Sequence, residues 1–144
     1  MNLLRIGSGR WAVLMTESVL DEIMDKGSAK GPKNAMLSLL TKSVPDHGPQ
    51  EDNRTICWQL RPLPLLLWEF RKAEHRGAKF RVIWFYGVDR ATIVCVRAFV
   101  KTSDKTPPGE ILAAQELRAA YFEAVRDKTL RIEAGEHLVR RKKS

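Results

Sequence analysis

Residues 63–110 read LPLLLWEFRKAEHRGAKFRVIWFYGVDRATIVCVRAFVKTSDKTPPGE, and this stretch decides the fold. It contains three apolar runs, Leu65–Phe70, Phe80–Tyr86 and Thr92–Val100, which are rich in β-branched and aromatic residues and short enough to be strands. The two gaps between the runs each contain a glycine and charged residues, as hairpin connections do. The stretch therefore predicts a three-stranded antiparallel meander.

Basic residues recur along these strands and at their ends, although a strand with a buried face normally carries apolar side chains there. They are Arg71, Lys79, Arg81, Arg97, Lys101 and Lys105. From Glu69 to Lys105 the chain has nine basic and four acidic residues. This excess of positive charge favours a polyanionic partner.

Before the meander, the apolar run Arg10–Met15 predicts a short strand. Thr16 or Ser18 then offers an N-cap oxygen to a first helix, which ends near Gly27. Because the segment that follows has a second apolar stripe at helical spacing, the two helices are expected to form a hairpin on one face of the sheet.

The second helix is predicted to open at Pro32 and to close at the pair Val44 and Pro45, before a polar loop over 46–54. After the meander, Thr106 and two prolines form the entrance of a C-terminal helix that runs to about 126. Residues 1–127 are interpreted as one domain. Residues 128–144 are interpreted as a basic C-terminal extension that frays.

The composition excludes several classes of protein. The chain has 144 residues, 44% of them hydrophobic and 29% charged, which indicates a single globular α+β domain and not a disordered chain. No apolar run is long enough to span a bilayer, and the only cysteines, Cys57 and Cys95, have no metal-ligand spacing. We therefore expect a cytoplasmic protein without a metal or another cofactor. The net charge of +8 again indicates a polyanion as partner.

Three ordered motifs give the sequence a family resemblance. They are LWEFR at Leu67–Arg71, FRVIWF at Phe80–Phe85, and AFVK at Ala98–Lys101 followed by KTP at Lys105–Pro107. In this order and spacing they resemble the RelE/ParE superfamily of type II toxin–antitoxin toxins, and within it the phage-derived HigB-like branch. One position departs from the pattern, since Thr102 stands where that branch has a second lysine.

The resemblance implies a RelE-like fold, in which a small twisted antiparallel sheet has a helical hairpin on one face. It also implies an mRNA interferase, a toxin that cleaves mRNA, often on the ribosome, and so inhibits growth. The implied partner is a helix-turn-helix antitoxin of the HigA-like kind, encoded in an adjacent reading frame. Operator DNA would then be bound only through the antitoxin, and no membrane is involved.

The residue types suit metal-independent RNA cleavage, in which the 2′-hydroxyl attacks the adjacent phosphate. Arg71 and Arg81 can bind the phosphate, because a guanidinium matches two of its oxygens and keeps its charge. Lys101 can serve as a base if burial and neighbouring cations lower its pKa. Glu69 can orient Arg71 or act as a base itself. We further expect the RNA to be bound by Lys79, Arg97, Lys105 and Tyr86.

Less specific interpretations stay open. Glu69 and Arg71 can form a purely structural ion pair, and Lys79 and Lys105 can be ordinary solvated charges. The tryptophans and histidines are interpreted as core and surface residues, respectively. The same fold also serves ParE-like inhibitors, which bind DNA gyrase and cleave nothing, and a decayed toxin would keep only antitoxin binding.

Overall fold

The computed structural model describes residues 1–25, 27–49, 60–63, 66–73, 79–101 and 105–143. The strands are β1 (Asn2–Ser8), β2 (Ala12–Met15), β3 (Leu60–Leu63), β4 (Leu67–Ala73), β5 (Lys79–Tyr86), β6 (Thr92–Lys101) and β7 (Arg131–Ala134). The helices are α1 (Glu17–Met24), α2 (Lys30–Ser38), α3 (Val44–His47), α4 (Pro108–Arg126) and α5 (Glu136–Lys143). The predicted α+β class is confirmed.

The three predicted strands of the meander are present as β4, β5 and β6. Neighbouring strands pair antiparallel, with Phe70 opposite Val82 and Arg81 opposite Phe99. The register shifts by one residue between Ile83 and Trp84, where β6 contains a bulge. On each side of that bulge, alternate residues of β5 point to opposite faces of the sheet.

The sheet is larger than the sequence predicts, and it is mixed. The described strands form one sheet in the order β3-β4-β5-β6-β2-β1-β7. The expected N-terminal strand is β2, but it pairs parallel with β6, and β1 pairs parallel with β7. The expectation of a purely antiparallel sheet of four strands is therefore wrong in extent and direction. Strands that pair in parallel are distant in sequence and are not joined by a hairpin, so the turn pattern of the sequence does not predict their pairing.

The predicted helical hairpin lies on one face of the sheet. Thr16 caps α1, because its hydroxyl accepts a hydrogen bond of 3.2 Å from the backbone N–H of Val19. The second helix does not end at Val44 and Pro45 as predicted. A π-helical turn over Leu39–Ser43 follows α2 and leads directly into α3. Pro45 has no N–H to donate, and it lies in the first turn of α3 directly after the π-helical residues.

Two apolar cores lie on opposite faces of the sheet. On one face, α1, α2 and α5 pack on residues that include Phe70, Val82 and Trp84. On the other face, α4 packs on Ile83 and Phe85 of β5. The hydroxyl of Tyr121 accepts a hydrogen bond of 3.0 Å from the Val88 N–H and so ties α4 to the β5–β6 turn. No helix within the described ranges has both the length and the apolar composition needed to cross a membrane.

The segment after Arg126 does not fray as the sequence predicts. Residues 131–134 form β7, and α5 follows at once. Val139 of α5 is 8% exposed and belongs to the core that α1 and α2 cover, with Leu138 packed beside it. The interpretation of this segment as frayed is therefore wrong, because β7 pairs with β1 and Val139 of α5 is buried in the core.

Candidate active site

The meander brings four charged side chains together on the face that α4 covers. Glu69 and Arg71 lie on β4, Arg81 is directly opposite Arg71 on β5, and Lys101 ends β6. Their exposures are 0% for Glu69, 8% for Arg71, 4% for Arg81 and 5% for Lys101. We call these four residues the charged cluster. Burying so many charges is costly, so they need either partners or a function.

Glu69 lies at the centre of the charged cluster. Its Oε1 accepts a hydrogen bond of 2.8 Å from Arg71 Nε, and Arg81 Nε lies 3.3 Å from the same oxygen. Its Oε2 accepts a hydrogen bond of 2.5 Å from the hydroxyl of Thr106. The carboxylate thus hydrogen-bonds Arg71 and forms an ion pair with Arg81 of the neighbouring strand, and both of its oxygens are engaged.

The environment of Lys101 favours its neutral form. Burial is the main cause that lowers the pKa of this lysine, and the positive charges of Arg81, Arg71 and Lys79 lower it further. The carboxylate of Glu69 acts in the opposite direction and only partly offsets these effects. The amine of Lys101 therefore loses its proton more readily than that of an ordinary lysine.

Thr106 is the residue of this site that the sequence analysis assigned to another role. Its Thr-Pro motif was interpreted as the entrance of a helix, and α4 indeed begins at Pro108. The same residue reaches Glu69 across 37 positions of the sequence. The motif predicts a helix entrance, but no local pattern shows which buried oxygen its hydroxyl contacts.

The four expected RNA-binding residues have different surroundings. Lys79 is half-buried and opposite Lys101, so it belongs beside the charged cluster. Lys105 is exposed, next in sequence to Thr106. Arg97 on β6 forms a two-pronged ion pair with Glu110 of α4, with a shortest distance of 2.6 Å. This pair joins β6 to the first turn of α4.

Tyr86 is the expected site residue that the structure separates from the charged cluster. It is 37% exposed and lies on the opposite face, with its ring centroid 5.0 Å from those of Trp68 and Trp84 and 6.1 Å from that of Trp11. Alternation along β5 explains this, because residues 81 and 86 differ by an odd number and no bulge in β5 intervenes.

The other titratable groups of the described residues suggest no second reaction centre. Burial strongly raises the pKa of the Cys95 thiol, which favours the unreactive protonated form. His47 and His137 are exposed. Among the described residues, no three His, Cys, Asp or Glu side chains are grouped so that they could hold a metal ion. Cys57, Trp58, His75 and Thr102 lie outside the described residues.

Comparison with known proteins gives one match. The family model described as phage derived protein Gp49-like matches residues 32–119, more than half of the chain and all of the charged cluster. The proteins of this family are phage-derived toxins of the toxin–antitoxin type, within the RelE/HigB-like group, and endoribonuclease activity is associated with them. Searches of curated proteins and of solved structures each found no match.

Proposed function

We propose, from the premise that this chain belongs to the phage-derived Gp49-like family of toxins, that it is an mRNA interferase that cleaves mRNA without a metal. The observation that supports this most is the charged cluster, in which three buried cations surround a single buried carboxylate. A protein that acts only by binding a partner gains little from burying such an excess of charge.

In the proposed reaction the 2′-oxygen of the RNA attacks the adjacent phosphorus. A base removes the proton of the 2′-hydroxyl, the new P–O2′ bond forms, and the bond from phosphorus to the 5′-oxygen breaks. The departing 5′-oxygen takes up a proton. The products are a 2′,3′-cyclic phosphate and a 5′-hydroxyl end, so atoms and charge balance without a cofactor.

Arg71 and Arg81 are proposed to bind the phosphate at which the reaction takes place. They face each other across β4 and β5, and Glu69 holds the Nε atom of each within 3.3 Å. A guanidinium presents several N–H donors in one plane, which match the oxygens of a phosphate. Donors that are oriented before the reaction stabilise the extra negative charge of the transition state.

Lys101 is proposed as the base that removes the 2′-proton. Its lowered pKa increases the fraction of neutral amine near neutral pH, and only the neutral amine can accept a proton. Glu69 is the alternative base. We assign it a positioning role, because Arg71, Arg81 and Thr106 already engage its oxygens.

The family also implies an antitoxin as partner. We propose a helix-turn-helix protein of the HigA-like kind from an adjacent reading frame, which would bring the pair to operator DNA. We propose mRNA on the ribosome as the substrate, within the phage-derived HigB-like branch of the superfamily. The net charge of +8 suits both a polyanionic substrate and an acidic segment of the antitoxin.

The experiment that tests the proposed function is induction of this chain alone in cells, with mRNA integrity and DNA-damage signalling measured in parallel. We expect growth to stop as intact mRNA disappears, with no early DNA-damage response. Growth arrest with intact mRNA and a raised DNA-damage response would instead support gyrase inhibition. An Arg81→Ala chain made at the same level is the control for the burden of expression.

A further inference from the structure

A second cationic feature lies on the α4 side of the sheet, outside the charged cluster. It is a pocket of about 350 Å³ lined by Leu66, Gln115, Arg118 and Ala119. Three of these residues belong to α4, and Leu66 immediately precedes β4. We call it the Arg118 pocket.

Arg118 packs against aromatic rings of the α4 side of the sheet. Its guanidinium carbon lies 4.7 Å from the ring centroid of Phe122 and 5.9 Å from that of Phe85. Its Nε is buried and has no hydrogen-bond partner. None of the ion pairs among the described residues includes Arg118. A cation at the wall of a pocket that pairs with no carboxylate of the described residues is suited to an anion from outside the chain.

The Arg118 pocket and the charged cluster lie on the same face of the sheet. Phe85, whose ring packs against Arg118, is four residues from Arg81 on β5. Because β5 has no bulge between them, the two side chains point to the same face of the sheet. From Leu66 to Arg71 the chain advances by about 17 Å at the rise of a strand. From Pro108 to Arg118, α4 advances by about 15 Å at the rise of a helix. The two sites are therefore separated by a distance that a few nucleotides of extended RNA can span.

We propose that the Arg118 pocket is a subsite for one nucleotide of the RNA, a few positions from the cleaved bond. This inference rests on the proposed function. The planar guanidinium would bind a phosphate through two N–H groups, and Gln115 can hydrogen-bond to a ribose or base. Leu66, which is 61% exposed, offers an apolar contact to the base. The volume is near the lower limit of small-molecule sites, about 300 Å³, which fits one nucleotide.

The test measures RNA affinity with oligonucleotides whose 2′-hydroxyls are methylated, so that cleavage does not interfere. The main variant is Arg118→Met, because a methionine side chain still packs on Phe122 but carries no charge. The matched control is Arg126→Met, which removes an arginine from the same helix where the side chain is 74% exposed. A Gln115→Leu variant examines the pocket a second time, and thermal unfolding checks that each variant is folded.

For single-stranded RNA of about ten nucleotides, we expect Arg118→Met to weaken binding about tenfold. The slope of log affinity against log salt should fall by about 0.7, as for the loss of one phosphate contact. A dinucleotide, measured by competition, should bind equally well before and after the substitution because it reaches only the charged cluster. Arg126→Met should change neither measurement by as much.

Three results would overturn the subsite in different ways. If the unmodified chain binds neither RNA, the proposed function fails and the subsite fails with it. If it binds both but Arg118→Met behaves like Arg126→Met, only the subsite is wrong. Release of a co-expressed antitoxin by Arg118→Met, with RNA affinity unchanged, would assign the pocket to the protein partner and would also overturn the proposal.

Discussion

Glu69 contributes the single negative charge of a buried cluster that also contains Arg71, Arg81 and Lys101. Its hydrogen bond to Arg71 and its ion pair with Arg81 help to explain why these side chains can be buried. Buried groups of this kind are commonly less stabilising than apolar residues of similar size. The arrangement is consistent with a site that binds a phosphate.

Replacement of Arg81 by alanine tests the phosphate-binding role at the residue scale. We expect cleavage to fall by on the order of a hundredfold, because one preorganised donor to the transition state is lost. Arg81→Lys should restore activity only in part, since a point charge cannot replace a planar fork. Cleavage rates measured beside thermal unfolding distinguish this effect from misfolding. Full activity of a folded Arg81→Ala chain would remove Arg81 from the site.

Lys101 as base predicts a pH dependence of kcat/KM. The rate should rise with pH as the amine loses its proton and level off above the pKa of Lys101, which lies below the ordinary lysine value. Because the Glu69 carboxylate raises this pKa, Glu69→Gln should move the rising limb to lower pH, even if the rate itself falls.

Lys101→Ala should remove the rising limb and reduce cleavage more than Lys105→Ala does, because Lys105 is exposed in a loop. If kcat/KM of the Lys101→Ala variant still rises with pH in the same range, the base is another group. The reverse order of the two variants would assign the chemistry to the loop before α4.

At the scale of elements, Thr106 joins the entrance of α4 to the charged cluster. Thr106→Val keeps the shape of the side chain but removes the hydroxyl that donates to Glu69 Oε2, and a buried acceptor that loses its donor costs about 1–3 kcal/mol. We expect cleavage to fall about tenfold, mainly in kcat, because Glu69 then holds the arginines less firmly. Thr106→Ser should retain most of the activity, and equal losses in both variants would contradict the positioning role.

The sequence predicted the elements whose pattern is local. The meander, the cap at Thr16 and the start of α4 followed from alternation, a hydroxyl at a helix entrance and a pair of prolines. The strand β7 was missed because its four residues are all exposed and show no apolar alternation. Its parallel pairing with β1 joins the two ends of the chain, which short-range pattern cannot show.

The sequence also predicted part of the candidate site, namely the residues whose placement depends on local strand patterns. Basic residues within apolar strands identified Arg71, Arg81 and Lys101, and period-two alternation placed Glu69 on the face of Arg71. The same alternation, applied to β5, would have separated Tyr86 from Arg81. The contacts of Thr106 and Arg118 depend on how α4 packs against the sheet, which sequence spacing alone did not fix.

At the scale of the whole molecule, the net charge of +8 predicts fast, salt-sensitive association with an acidic partner. We expect an affinity-tagged Arg81→Ala chain, used so that the cells survive, to copurify with the product of an adjacent reading frame. The rate of association should fall as salt is raised. If no neighbouring product copurifies while the unmodified chain is harmless on its own, a decayed toxin would be the better account.

The measurement that tests the central claim most directly is the chemistry of new RNA ends in cells that produce this chain. The account predicts mRNA fragments with 2′,3′-cyclic phosphate and 5′-hydroxyl ends, and it predicts that Arg81→Ala, produced at the same level, yields none. Growth arrest without new mRNA ends would contradict it, as would ends that carry a 5′-phosphate or that persist when Arg81 is replaced.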